Sequence, residues 1–545
     1  MDTTRTPIRE YGLGGIIRDV RPWDVPANSF TTLNNVRIED ASLSTLGDIS
    51  TAFGPFTADD VGGEIKPVYG APFWIDGGNV VILVFDNGEV RSYSQTNPTA
   101  AYVLQRTGLN TSAPFYHTQS GEYFHLTSKT NDPQTLAAAD ANTANSMVNM
   151  PGWPDNYRCG ILESYKNTLV AADITVSGSD RPNLVKWSDI FVEGDTAWRW
   201  DPADATIVAG ENPIQSNGQG INAMKPLRDS LMIYFDRSMW RMDLVGGQLV
   251  MQFRKVFNDD GAQSKYAVDS LGGRALVVGI RDIYLHDGVQ KQSLSDGKLT
   301  RAFFSSLQRN YPVRVLRYAL RNETWITYRD RTDGEANRAL VYNSLHNSFT
   351  PVDLTNPTSS VGDFVGLFTG PRLSSSVTTY ADISASLPEP NGPDYNAFNT
   401  ISYADVYSTA EDTVFYGLSD TPGVVLDLDA ITGDARFRLN TFIEHSRIDL
   451  DEWLQTSGDK VVYISRLYPQ YSGKGRLEIR FGVAATTSSS IEWGDWQEFD
   501  LASDYAIDFR SAGRFLAYQI RPFTAEAPSF ACSGMDMEWA VIGEQ

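Results

Sequence analysis

The chain has 545 residues, 41% of them apolar and 12% aromatic, which is enough to bury sizeable cores and excludes global disorder. A formal charge of −22 excludes an ordinary nucleic-acid-binding surface, because such a surface needs surplus Lys and Arg to replace counterions at phosphates. The two cysteines, Cys159 and Cys532, support neither a disulfide framework nor a cysteine zinc site, and no apolar run approaches the roughly 18 residues of a membrane span.

Residues 1–62 differ in texture from the rest of the chain and are set apart as an N-terminal docking segment. Here Asn34, Asn35, Val36 and Arg37 read as a strand, Glu39-Asp40 as an acidic turn, and Gly47 closes a second strand. From residue 63 to 433 the text is that of short hairpins. VVILVF at 80–85, the turn Asp86-Asn87-Gly88 and EVRSYS form one hairpin, since Asn-Gly accepts the positive φ angles of a primed turn. Another spans 116–127. Residues 129–154 are rich in Ala, Asn, Thr and Pro and read as an insertion between blades, with a short helix at 134–141. Strands return at 165–174 and at 184–188, where Lys186-Trp187-Ser188-Asp189 supplies a Trp read as a core plug.

The stretch 227–289 organises the chain. Two apolar runs, 231–235 and 275–280, each break at an Arg/Asp pair (Asp236-Arg237, Arg281-Asp282) and resume as an aromatic strand. The design recurs at 324–342 around Arg329-Asp330. Asp236, Asp282 and Asp330 are spaced by 46 and then 48 residues. A strand-built period in the forties predicts the blades of a β-propeller, irregular and with about six of them. Residues 355–412 lack clear periodicity and read as a second insertion; a last propeller hairpin spans 413–429. From 434 to 545 the strands lengthen and alternate, as at 437–443, 476–483 and 514–522, which predicts a C-terminal β-sandwich.

Constellations that carry chemistry are sparse, and the chain is read as not an enzyme. Adjacent carboxylates (Asp59-Asp60, Asp259-Asp260, Glu411-Asp412) point to opposite faces of a strand, so they do not form a glycosidase pair within it. The histidines 117, 125, 286, 346 and 445 lack metal-ligand spacing and read as solvated or core-edge groups, with His117 and His125 facing one another across a hairpin. Asp427 to Gly433 matches a calcium loop only in its first two ligands and reads as an ordinary turn. Arg309, Arg314, Arg317 and Arg321 form no continuous basic face. No catalytic, cofactor-binding or metal-binding residue is assigned, and no cofactor is expected.

Several of these phrases resemble the tail nozzle (tail tubular, or head-tail stabilisation) proteins of short-tailed bacteriophages. The match is carried by Asn34-Asn35-Val36-Arg37 with Gly47, by Trp187-Ser188-Asp189, by Gly246-Gly247, Gly272-Gly273 and Asp287-Gly288, and by Ser511-Ala512-Gly513-Arg514-Phe515-Leu516. The resemblance implies a homo-hexameric ring in the virion, synthesised in the host cytoplasm. It would contact a tail adaptor protein and tail fibre or spike proteins, with residues 355–412 at one mouth of its channel. Viral DNA would pass through an acidic lumen that does not hold it, without sequence-specific binding and without a membrane span. Two other readings stay open. One is a carbohydrate-directed propeller, adhesin or glycoside hydrolase; the other is a solitary scaffold propeller that binds protein.

Overall fold

The computed structural model describes residues 3–58, 62–76, 78–94, 102–192, 195, 197–246, 250–330, 337–355, 364–372, 413–420, 423–430, 433–455, 460–523 and 526–544. The chain is all-β, of the β-propeller class, with a C-terminal β-sandwich. Among the described residues seven small sheets of four or five strands have the make-up of blades. Six cover residues 67–106, 116–149, 157–213, 221–258, 268–293 and 314–353, each built of strands consecutive in sequence. The seventh joins Phe364–Pro371, Thr413–Asp420 and Gly423–Ala430 to a strand from the other end of the chain, Asp48–Phe53.

The count exceeds the expected six for a physical reason. Half of the seventh sheet is supplied by residues 364–371, inside a stretch without clear periodicity, and by residues 48–53, which local periodicity assigns elsewhere. The remainder of the second insertion, 356–363 and 373–412, and the pairs Asp59-Asp60 and Glu411-Asp412 lie outside the described residues. Residues 129–154 are not an insertion either. Asn131–Ala137 and Val148–Asn149 are the third and fourth strands of the second blade sheet, and the expected helix is a short 3-10 turn at Ala138–Asp140. Asn131–Ala137 is an inner strand, between Tyr123–Ser128 and Val148–Asn149, and its Pro133 falls where the pairing with Tyr123–Ser128 shifts register, so no regular ladder bond is lost.

Central strands read as unbroken apolar runs because both their faces are covered. In Val80–Phe85 and Ser230–Phe235 every residue is buried. The hairpin after Phe85 differs from the expected primed turn. Gly88 N donates to Phe85 O at 3.0 Å and Phe85 N to Glu89 O at 2.9 Å, and only Gly88 has positive φ, at +84°. This is a type I turn closed by a glycine bulge. A Cβ on Gly88 would also stand 2.2 Å from Leu109 O. Gly88→Ala is therefore expected to destabilise the protein by about 1–3 kcal/mol, seen as a lowered denaturation midpoint; an unchanged midpoint would refute this account of the turn.

The chain divides into two compact units: Met1–Ser50, Leu227–Ser359 and Leu428–Gln545 form one, and Thr51–Pro226 with Ser360–Asp427 the other. The sandwich belongs to the first unit. One of its six-stranded sheets contains Lys460–Lys474, Ile507–Gly513 and Ser529–Glu544; the other contains Phe442–Asp449, Arg476–Ala484 and Phe515–Pro522. Residues 1–62, expected to stand apart, are woven into these sheets. Thr4–Arg9 runs along Ser529–Glu544, Thr32–Asn34 pairs with Phe442–Asp449, and the hairpin Val36–Glu39/Ser42–Thr45 joins through Leu43 opposite Cys532. Their buried faces, among them Leu33, Val36 and Leu43, complete a core that residues 434–545 leave open. Residues 437–439, the first part of the strand expected at 437–443, belong instead to a helical turn, Arg436–Leu439, with Asp434 accepting from Arg436 N at 3.0 Å.

Candidate functional sites: an N-terminal joint and a cleft of Arg/Asp turns

Two of the family-like phrases fall where the chain crosses between the sandwich sheets. Thr32–Asn34 lies in one sheet and Val36–Glu39 in the other, with Asn35 at φ +54° as the corner. Asn accepts this left-handed conformation more readily than most residues. Both polar atoms of its side chain are used: Oδ1 accepts from Asp353 N at 2.8 Å and Nδ2 donates to Asn440 O at 3.4 Å. The phrase Ser511 to Leu516 is a second such corner, passing from Ile507–Gly513 to Phe515–Pro522. Sandwich corners of this kind are made by bends that move one strand between sheets.

Immediately after the first corner, Arg37 enters a knot of charges. Its Nε donates to Glu323 Oε1 at 2.6 Å and its Nη1 to Asp429 Oδ1 at 2.8 Å, with the three side chains 4%, 2% and 7% exposed. Trp325 Nε1 donates to Glu323 at 2.9 Å, and Tyr318 Oη and Arg321 Nε donate to Asp429 at 3.0 and 3.2 Å. Arg321 reaches on to Glu39 at 2.8 Å. Burial alone would lower the Arg37 pKa, but Glu323 and then Asp429 reverse this and raise it. Burial would raise Asp429; Arg37 and Arg321 overcome it and hold the carboxyl below its ordinary value. Gly47, the closing residue of the phrase, lies against the knot, where a Cβ would come within 2.6 Å of Asp429 Oδ1. The expected turn at Asp427 is thus a strand whose Asp429 belongs to this joint, while Ile431 and Thr432 fall outside the described residues.

The Arg/Asp turns that organise the sequence converge in part. Asp236-Arg237 links Ser230–Phe235 to Ser238–Leu244, and Arg281-Asp282 precedes Ile283–His286. Arg237, Arg281 and Asp282 line one cleft of about 450 Å³ together with Asp259, Asp260 and Lys291. Lys291 pairs with Asp260, and Asp282 Oδ1 accepts from Ser293 and Ser295 at 2.8 and 2.9 Å. Three cationic and three anionic side chains thus face a single space. Arg329-Asp330 does not join them; its Asp330 N donates to Asn337 at 3.1 Å.

The basic run does not form a surface. Arg314 lies over the Tyr266 ring at 4.4 Å, and Arg321 belongs to the knot. Among the histidines, His125, His286 and His445 are buried in packed surroundings, and His117 is half-buried. His125 stands opposite Thr118, one position off the expected partner His117. Burial, with Lys225 adding to it, pushes His117 down to about 3, and burial alone takes His125 to about 3. His286 and His445 are each pushed down to about 4 by burial, partly offset by Asp287 and by the Pro26 carbonyl. His286 Nδ1 accepts from Gly288 N at 3.1 Å, so the neutral ring carries its proton on Nε2, toward Tyr234 Oη at 2.9 Å. No group of three or more His, Cys, Asp or Glu side chains is placed to hold a metal ion among the described residues.

The sheets define an all-β protein of the propeller class. No protein-family model and no curated protein sequence matches the chain. Among solved structures it is similar to the computationally designed Ika8 protein, at 12% identity over 55% of this chain and 92% of that one, with a TM-score of 0.31. It is also similar to apo AztD from Citrobacter koseri (11% identity, 59% and 88% coverage, TM-score 0.33). A third similar chain belongs to the Mitotic Checkpoint Complex (10% identity, 60% and 87% coverage, TM-score 0.34). With TM-scores below 0.5, these likenesses add nothing to what the sheets themselves establish.

Proposed function

We propose that this chain is a structural subunit of a short phage tail, a nozzle whose copies form a homo-hexameric ring in the virion. The ring closes the DNA channel before infection, meets a tail adaptor and fibre or spike proteins, and passes DNA through an acidic lumen. The observation that carries this reading is the joint at Arg37. The residues that resemble the tail proteins, Asn35, Arg37 and Gly47, are those that fasten the N-terminal strands to Glu323 and Asp429. A part whose work is mechanical needs such fastening. The charge of −22 suits a passage that DNA must not adhere to, and the mixed-charge cleft suits a neighbouring subunit of alternating charge. Electron microscopy of the protein in its native assembly tests the proposal. Six copies around an axial channel are expected; peripheral trimers or a free monomer would overturn it.

A further inference from the structure

The second unit carries another cleft, of about 540 Å³, within the volume range of small-molecule sites. It is built on the third blade sheet. Strand Leu184–Trp187 presents Lys186, strand Gly210–Pro213 presents Glu211, and the connection between them supplies Trp198, Trp200, Asp201 and Asp204. The connection is pinned at its root. Asp189 pairs with Arg199 and accepts from Val208 N at 3.0 Å, while Trp187 Nε1 donates to Val208 O at 2.8 Å. The cleft is therefore held open by its own framework.

Its chemistry has two parts. The walls are apolar and ring-bearing, with Pro154, Tyr157, Pro202 and Ile207 beside the two tryptophans. The polar groups are of both kinds. Lys186, whose side chain is 2% exposed, gives one hydrogen bond to Glu211 at 3.1 Å and lies over the Tyr157 ring at 5.1 Å. The indole N–H groups of Trp198 and Trp200 are buried without a hydrogen-bond partner among the described residues. A buried donor without a partner costs about 1–3 kcal/mol, which a ligand acceptor would relieve. Against these donors stand the carboxylates Asp201 and Asp204, each with one oxygen used by its own turn.

We propose that this cleft binds a neutral saccharide. A pyranose ring offers an apolar face to such walls, and its hydroxyls both accept from N–H groups and donate to carboxylates. An anionic ligand is disfavoured because Lys186 and Arg199 already have carboxylate partners, while Asp201 and Asp204 add two further negative charges to the cleft. An amine is disfavoured because it would leave the indole donors unanswered. The site takes up the carbohydrate-directed reading for one cleft only and does not depend on the nozzle reading; either can fail without the other.

The test uses the full chain with glucose, galactose, N-acetylglucosamine, maltose and lactose, and with choline and glucuronate as charged controls. Tryptophan fluorescence and saturation-transfer NMR report binding. At least one neutral sugar should saturate, with a millimolar or tighter Kd. The double change Asp201→Asn/Asp204→Asn keeps the turn acceptors and should weaken binding at least tenfold with an unchanged thermal midpoint. Trp200→Phe, which removes one indole donor, should weaken it severalfold. No saturation by any neutral sugar, preference for choline or glucuronate, or full affinity in the Asn double variant would each overturn the proposal.

Discussion

Arg37→Ala is expected to destabilise the first unit by about 3–5 kcal/mol, the loss typical when one member of a buried ion pair is removed and its partner stays charged. The size is set by the groups left behind. Glu323 and Asp429 are 2% and 7% exposed, and without the guanidinium they face each other's charge in a site that excludes water. Trp325, Tyr318 and Arg321 still donate to them, so the site does not lose all its hydrogen bonds. Arg37→Lys should fall between, because a point charge cannot span both carboxylates as the forked group does. A triple variant, Arg37→Met/Glu323→Gln/Asp429→Asn, should recover most of the loss, since the penalty lies in the uncompensated charge rather than in missing attraction. Urea unfolding followed by fluorescence measures each. A loss under about 1 kcal/mol for Arg37→Ala would show that the knot is not a structural fastening.

Acidification from pH 6.5 to 4 should lower stability steeply, before ordinary carboxylates titrate. The four perturbed histidines have folded pKa values depressed to about 3 or 4, whereas an unfolded histidine titrates near 6.5. Below pH 6.5 the unfolded chain therefore binds protons that the folded chain refuses. The stabilisation is complete above the unfolded value and is lost as pH falls toward the folded one. For His286, 1% exposed, the difference amounts to roughly 3 kcal/mol, at about 1.4 kcal/mol per pH unit. Protonation there would also break the bond from Gly288 N to Nδ1. Asp429, depressed by its arginines after burial is overcome, adds a further loss below about pH 4, in the range of ordinary carboxylates. Thermal midpoints measured from pH 7.5 to 3.5 should show the decline, and His286→Gln/His445→Gln should make it shallower. A flat profile between 6.5 and 4 would contradict the packing ascribed to these rings.

Much of the propeller is legible because its central strands, such as Val80–Phe85 and Ser230–Phe235, are covered on both faces and so leave apolar runs between turn residues. Strands of mixed composition with an interrupted register leave no such trace. Asn131–Ala137 reads NDPQTLA, and neither its polar composition nor its Pro distinguishes it from a loop. Long-range pairing is invisible to any local pattern, which is why residues 1–62 read as separate and the seventh sheet escapes a count by period. Arg37 stands out in its phrase, yet nothing near it in sequence names Glu323 or Asp429 as partners. The saccharide cleft is half visible. Lys186-Trp187-Ser188-Asp189 stands out, and Trp187 is the buried plug expected of it. Besides Tyr157, the cleft's polar and aromatic groups lie one residue before Trp187 and from eleven residues after, where Trp198-Arg199-Trp200-Asp201 repeats an aromatic at alternate positions.

The strand Asp48–Phe53 completes a sheet by pairing with Gly423–Ala430, about 370 residues later. During synthesis at roughly 5–20 residues per second, that strand waits on the order of 20–75 s for its partner. Thr4–Arg9 waits longer, until Ser529–Glu544 leaves the ribosome. A chain that stops before these partners would thus leave Thr4–Arg9 and Asp48–Phe53 with unpaired edges, a ready substrate for chaperones and proteases. Any mechanism that builds this protein into a larger object gains a safeguard from this arrangement, because the early strands are hidden only once their distant partners have been made.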